Sequence, residues 1–589
     1  MRISKTFTLF KSIFRPYFPH ILVLVVLGFV GAILEGVGIN AAIPLLSFLV
    51  SGGQPTDFIS RSIQALFRFL HITFTFRYLL VFVVSLFITR SIAQVAFSYV
   101  RGRVVSDFVS NESILLLKHM FSASWPFLLK QRLGYVHSTI VRDIQKSAAL
   151  LEVIGQSIQS FTGFLMYFLV ALNISPSMTM ETLVAGVVLL LIVRPFMRRI
   201  QQIGGATAMI EKDISHFLTE HILGMKAVKA AAAEAKALSF AKQLFEELRR
   251  LSVRSTFTRS LSTSLFQPFS IFFVIILFSL SYHTPGFSLI SFAATLYLIQ
   301  KIFTYLESGQ SSLNSINELL PYGENVQNFK QLLISHTESI TQGTEPFVME
   351  HGIAFSDVSL KYQNTVSALT SVTLQIKKGE TVGLIGPSGA GKTSMADLLL
   401  RLFEPTSGTI MVDNKPLSYI SIDEWRQNVG YVPQDIFLLN ASIEENIRFY
   451  REDLSHEDII AAAKKANSYD FIMSLPEGFE TNIGDRGVML SGGQRQRVVL
   501  TRALVGDPQI IILDEATSAL DSESEEIIQE AIRALHGHIT VLIIAHRLST
   551  IEAADKIIVL ENGRVLEQGS PKELDAKVDS YYHRVKHGR

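Results

Sequence analysis

The sequence contains no cysteine. Disulfides, zinc–thiolate centres and cysteine nucleophiles are therefore excluded, and the redox compartment is left open. Charge is also scarce. Asp, Glu, Lys and Arg make up 18% of 589 residues and nearly cancel, to a formal +1. Bulk charge thus gives no argument for a nucleic-acid partner. No part of the chain repeats another, so each part is present in one copy. Apolar residues, by contrast, reach 48%, with a mean hydropathy of +0.32. That is too apolar for an ordinary soluble enzyme and points to a membrane.

The apolar residues are unevenly spread. Long uncharged runs stop near residue 306, and after residue 350 strand-like and helix-like segments alternate with ordinary charge. The expected organisation is a membrane domain at 1–335, a linker at 336–348 and a soluble α/β domain at 349–589. A helix needs about 20 apolar residues to cross the hydrocarbon core. Six stretches qualify: 20–49, 77–99, 149–172, 178–198, 262–282 and 287–307. The first is long and lacks a small-residue cleavage site, so it reads as a span, not as a removed leader. The connections at 100–148 and 199–260 are long and basic, whereas 173–180 and 282–286 carry no Lys or Arg. This bias places the long connections and both termini in the cytoplasm.

Good helix formers such as Ala230 to Leu248 predict that helices two to five continue beyond the membrane as rods. Pro126 breaks one rod, and Phe217 to Leu223 is the expected turn of the other. Both turns are candidate contacts for the soluble domain. In residues 55–70, Ile59, Ile63, Leu66, Phe67 and Leu70 recur at helical spacing, which predicts an amphipathic helix on the outer face. Glu35 lies well inside the first span. An intramembrane carboxylate is costly, and it reads either as part of a transport pathway or as the partner of a polar group on a neighbouring helix. Arg90 and Arg194, near the cytoplasmic ends of their spans, are expected to snorkel.

The soluble half is organised around Gly386-Pro387-Ser388-Gly389-Ala390-Gly391-Lys392-Thr393, which fits G-x-x-x-x-G-K-[ST]. An apolar run precedes it, and a Leu-rich helix beginning at Ser394 follows. Backbone N–H groups in such a loop cradle phosphate, and the helix dipole adds positive potential. Lys392 would reach the β- and γ-phosphates, and the Thr393 hydroxyl would bind Mg²⁺. Ile510 to Leu513 reads as a buried parallel strand ending in Asp514 and Glu515. Asp514 suits Mg²⁺, and Glu515 suits polarising an attacking water. A second such strand, Val541 to Ala545, ends at His546, which could sense the γ-phosphate. Gln434 follows the strand-like Val429 to Pro433. Leu490-Ser491-Gly492-Gly493-Gln494 precedes a basic helix and is another N–H-rich start suited to an anion.

Singly these pieces carry little; a lone His at a strand end ordinarily packs or caps. In this order they resemble the ATP-binding-cassette family over essentially the full length. The resemblance implies an ATP site of Tyr362, Gly386, Pro387, Ser388, Gly389, Ala390, Gly391, Lys392, Thr393, Ser394 and Gln434, with Tyr362 stacking on adenine. It identifies Ser491, Gly492, Gly493 and Gln494 as a signature acting on the ATP of a second subunit. Asp521 becomes the D-loop residue and His546 the switch histidine. Glu515, His546 and Lys392 are the implied catalytic set, with Thr393, Gln434 and Asp514 around Mg²⁺. Asp485 stands where the family more often has Glu, which keeps the charge.

Six spans followed by one cassette resemble a half-exporter of the type IV, B-subfamily kind. The implied fold is an α-helical membrane domain with long cytoplasmic extensions, then an α/β P-loop domain with a helical subdomain. The implied cofactors are ATP and Mg²⁺. The implied partners are a second half-transporter, a homodimer being simplest, with membrane lipids and an amphipathic substrate but no nucleic acid. The implied location is the inner (plasma) membrane, with the nucleotide domain cytoplasmic. Glu35-Gly36-Val37-Gly38-Ile39, followed by an outer amphipathic helix, is similar to flippases of lipid-linked oligosaccharides. Glu35 is then a substrate-pathway residue. A general lipid or multidrug exporter is the alternative, and after it a peptide exporter or an ATP-gated channel.

Overall fold

The computed structural model describes residues 14–41, 58–69, 71–282, 289–338, 343–362, 366–516, 522–545 and 547–587. The chain divides into two compact units, one built of long helices and one running from Glu338 onward.

The helical unit comprises α1 (Phe18–Asn40), α2 (Phe58–Phe69), α3 (Phe76–Phe121), α4 (Ile144–Ile174), α5 (Pro176–Leu223), α6 (Glu234–Ser264), α7 (Phe266–Ser281) and α8 (Leu289–Ser335), with short helical turns between α3 and α4 and between α5 and α6. Among the described residues, five stretches are long and apolar enough to cross a membrane: Arg15–Gly38, Phe76–Phe121, Leu133–Ile174, Pro176–Leu223 and Glu234–Ser281. The sixth expected span, 287–307, begins outside the described residues and continues as α8; residues 42–49 of the first expected span also lie outside them. At 46 residues α3 is about 70 Å long, roughly twice the hydrocarbon thickness. The expected rods are thus present as continuous helix.

The turns differ from expectation at one place. Pro126 does sit in a short helical turn, Trp125–Leu128, with Phe127 buried and stacked on His336 at 4.4 Å. Phe217 to Leu223, however, is helical to its end, and the chain stops at Gly224 before a short helix at Met225–Ala230. Phe217 stacks on His221 one turn later and meets Phe240 of α6 at 5.5 Å. These contacts hold the segment helical and move the turn to residues 224–233.

Polar groups tie the rods together. Tyr322 of α8 donates to Glu211 of α5 at 3.0 Å, and Lys212 lies 3.2 Å from Asp143. Asp143 closes a single turn of π-helix, Thr139–Asp143, and is almost fully buried. The amphipathic helix forms as α2, with residues 55–57 and 70 outside the described residues. Its Ile63 and Phe67 are buried, and Phe67 packs edge-on to Phe74 and Phe82. One side of the helix therefore caps protein, while Leu66 and Phe69 stay exposed.

The second unit holds two sheets. An antiparallel sheet runs β2 (Val366–Lys377), β1 (Gly352–Tyr362), β4 (Ser407–Val412), β5 (Lys415–Pro416). A mainly parallel sheet runs β10 (Arg564–Gly569), β9 (Lys556–Glu561), β3 (Thr381–Ile385), β8 (Thr540–Ile544), β7 (Ile510–Asp514), β6 (Val429–Val432). Every residue of β3, β7 and β8 is buried, as their unbroken apolar runs require. Two residues of the expected linker at 336–348 pair with this unit: Glu338 with Arg426 at 2.7 Å and Glu345 with Lys415 at 2.6 Å.

Candidate functional site

Four adjacent parallel strands set the site. β3 pairs with β8, β8 with β7 and β7 with β6, all parallel. Their C-terminal ends therefore open on one crevice, where an open α/β sheet binds its ligand. The chain leaving β3 is the glycine loop, leading into α9 (Lys392–Leu399). Asp514 and Glu515 end β7, and Gln434 follows β6. The Glu515 N–H donates to Ile544 at the end of β8, and Ala545 donates to Leu384 of β3, which locks the strand ends together.

Within the loop, Gly386 has φ +148° and Gly391 has φ +101°. Both are left-handed, and a side chain at either would strike backbone, at Leu560 and Ala368 respectively. The loop is thus closed on the protein side. On the other side Pro387, Ser388, Gly389 and Thr393 are exposed, and Ala390 and Ser394 are buried supports. Lys392 is buried, and its ammonium donates to the carbonyls of Gly386 at 2.9 Å and Pro387 at 3.1 Å. Burial pushes the ammonium below its usual range, opposed by Glu515 and Asp514. Those two carboxylates keep a cation favourable beside the phosphate loop.

The Gln434 amide donates to Glu515 at 2.7 Å. Glu515 itself sits at φ +49°, a conformation that costs a non-glycine residue about 1 kcal/mol and is retained where neighbours hold it. Tyr362 is half-buried at the end of β1, where it donates to Ser394 at 3.0 Å and packs edge-on to Phe403 at 5.0 Å.

Ser491 caps α10 (Gly492–Leu504). Its hydroxyl accepts the Gln494 N–H at 3.2 Å, and the Gln494 side chain accepts the Ser491 N–H at 2.9 Å. Gly492 is exposed and Gly493 buried. Arg502, farther along α10, donates to Asn446 and Phe437 carbonyls at 2.7 and 2.9 Å and stacks over Phe449 at 4.4 Å. Burial pushes its guanidinium down to about 10. This arginine ties the segment after Gln434 to the signature helix, and the sequence reading did not single it out. Asp521 and His546 lie outside the described residues.

The helical unit holds a second constellation. Arg90 of α3 donates to Glu35 of α1 at 2.8 Å. Tyr167 of α4 and Tyr305 of α8 also donate to this carboxylate, each at 3.2 Å. Arg90 therefore pairs inward, contrary to the expectation that it snorkels. Gly163 makes room: a side chain there would fall inside the Tyr305 ring. Of these partners the sequence reading noted only Arg90, and as a snorkelling residue; the two tyrosines gave no sequence signal.

Comparison with known proteins supports both units. The family model for the ABC transporter transmembrane region matches residues 21–305, and that for the ABC transporter matches residues 369–518. The chain is 30% identical over 583 residues to the heterocyst differentiation ATP-binding protein HepA of Nostoc, covering 96% of this chain and 93% of that one. It is 32% identical to an ATP-dependent lipid A-core flippase of Paraburkholderia xenovorans, over 85% of each chain. A solved bacterial Atm1-family ABC exporter with ATP bound shares the fold, with a TM-score of 0.80 at 24% identity over 98% of both chains. With membrane and cassette regions matched in order and similarity sustained along nearly its whole length, the chain belongs to the ABC transporter family: it is a multi-pass membrane half-exporter of the type IV architecture, an ATP-binding ATPase coupled to transport.

Proposed function

We propose that this exporter works as a homodimer that moves a lipid-linked oligosaccharide, glycolipid or other amphipathic molecule from the cytoplasmic side outward. The observation that carries the reading is the Glu35 carboxylate, held by Arg90, Tyr167 and Tyr305 from three other helices. A polar station inside an apolar bundle suits a cargo with a polar head and an apolar tail. The likeness to lipid A-core flippases over 85% of the chain supports a lipid cargo. The exporter then sits in the inner membrane with its cassette cytoplasmic, where ATP is.

In this reading the exposed face of Pro387 to Gly389 receives the phosphates. Lys392 turns from its own loop carbonyls to the β- and γ-phosphates. Thr393, Gln434 and Asp514 supply oxygen donors, the hard type that Mg²⁺ takes, and would hold that ion to neutralise phosphate charge. Glu515 orients the attacking water, with Gln434 holding its carboxylate in place. The roles carried over from the family are γ-phosphate sensing for His546, the D-loop for Asp521 and adenine stacking for Tyr362. Ser491 to Gln494 serve the partner's nucleotide. Ser491 lies about 18 Å along α10 from Ala503, whose carbonyl abuts Gly430 of β6.

Reconstitution in liposomes tests the reading. Glycolipids or lipid-linked sugars should stimulate ATP hydrolysis and change leaflet only with ATP. Stimulation by hydrophobic cations alone, with no lipid changing leaflet, would favour a multidrug exporter instead.

A further inference from the structure

The last two helices carry a cluster that ATP-driven transport does not use. α11 (Pro571–Asp575) ends at Asp575, and α12 (Tyr581–Lys586) follows after a short loop. His583 and His587 are four residues apart and so lie on one face. His583 Nδ1 is 3.3 Å from Asp575 Oδ1, and His587 Nε2 is 2.9 Å from the same oxygen. One potential ligand atom from each of the three residues lies within 4.8 Å of the others.

We propose that Asp575, His583 and His587 form a binding site for a divalent transition-metal ion of the zinc class. Two ligands about 2.1 Å from one ion at the tetrahedral angle are about 3.4 Å apart, so the His583–Asp575 separation already matches and His587 needs a shift of a few tenths of an ångström. Two imidazoles and one carboxylate select Zn²⁺, Ni²⁺ or Cu²⁺ over Mg²⁺ and Ca²⁺, which take oxygen.

The supports are built in. Lys586 donates to Asp575 Oδ2 at 2.8 Å, which turns Oδ1 toward the rings. Tyr582, fully buried, anchors α12, and the Ser580 cap donates to Glu567 at 2.8 Å. His583 Nδ1 also lies 2.6 Å from the Asp575 carbonyl, so the ring must turn from that contact to take a metal. The ion would clip the C-terminal helix to the one before it.

The test uses full-length protein carrying no histidine tag, stripped with chelator, in nucleotide-free detergent solution. Zn²⁺ is titrated against a chromophoric chelator, and Co²⁺ binding is followed by its visible ligand-field absorption. The wild type should bind one tight ion more than His583→Gln/His587→Gln, and Asp575→Asn should weaken that site at least about tenfold. The Co²⁺ band should vanish in the double variant, whose Mg²⁺-dependent ATPase should be unchanged, which shows that it folds. Equal Zn²⁺ stoichiometry and equal Co²⁺ spectra for wild type and double variant would overturn the assignment.

Discussion

Glu35→Gln keeps the shape of the side chain and removes its charge. Glu35 is 12% exposed and Arg90 36%, with 2.8 Å between donor and acceptor. Removing one partner of a fully buried pair costs about 3–5 kcal/mol, because the other charge is left uncompensated. Arg90 is one-third exposed and part-screened, so a cost of about 2 kcal/mol is expected. That is roughly a 30-fold shift in a folding equilibrium. Arg90→Met should cost at least as much, since it strands the carboxylate among two tyrosine hydroxyls. The double variant leaves neither charge and should be more stable than Arg90→Met alone. Unfolding midpoints in mixed dodecyl maltoside–SDS micelles, for the wild type and the three variants, measure the coupling directly. Single costs that add to within about 0.5 kcal/mol would refute the pair as an energetic unit. The same variants probe transport. Should Glu35→Gln leave both lipid movement and lipid-stimulated ATPase unchanged, the pathway role is lost.

Gly163→Ala drives a methyl into the Tyr305 ring and should destabilise the helical unit by about 1–3 kcal/mol, seen as a lower midpoint in the same micelle assay. Glu515→Gln should keep the Gln434 contact and bind ATP, yet slow hydrolysis about 10²–10⁴-fold in a phosphate-release assay; normal turnover would refute the role of Glu515. Arg502→Lys keeps the charge but loses the fork onto Asn446 and Phe437, costing about 1–2 kcal/mol. ATPase should fall in that variant while ATP binding, measured by fluorescent-nucleotide titration, is kept. Asp413 accepts three backbone N–H groups, from Glu350, His351 and Gly352, each at 2.8 Å. Its partial burial pushes the carboxyl up, but those donors prevail and hold it below the usual range. Its contribution is therefore present above the ordinary carboxylate pKa and is lost as pH falls through the lower folded value. Asp413→Ala should cost about 2–3 kcal/mol at neutral pH, and the thermal gap from wild type should shrink below about pH 4.

The parts legible in the sequence are those written in neighbouring residues. Gly386 to Thr393 carries its own loop geometry, and the runs before Asp514 and His546 announce buried strands because a parallel strand is apolar on both faces. Ser491 and Gln494 announce a helix start by spacing alone. Partners far apart in the chain were not legible. Gln434 and Glu515 are 81 residues apart, and Glu35 and Arg90 are 55 apart. Arg90 looked like a snorkelling residue because a helix read singly offers a long cation only the interface; with α1 beside it, a carboxylate is nearer. The turn at Gly224 was placed too early because Phe217 and His221 look like ordinary loop aromatics until Phe240 packs against Phe217. Likewise α2 was legible as an amphipathic helix, but the burial of Phe67 against Phe74 and Phe82 depends on where α3 begins.

The capping of α10 has an electrical consequence. The Ser491 oxygen accepts the Gln494 N–H, and its own hydrogen is not used in that bond. The adjoining Gly492 is exposed, with nothing within 4 Å of where a side chain would start. Within Ser491 to Gln494 the donors offered to an incoming anion are neutral, and the nearest formal charge is Arg495 at the next helical position. A dipole's pull fades with distance much faster than an ion's, so the arginine would set the attraction at a distance and the capped loop the grip on contact.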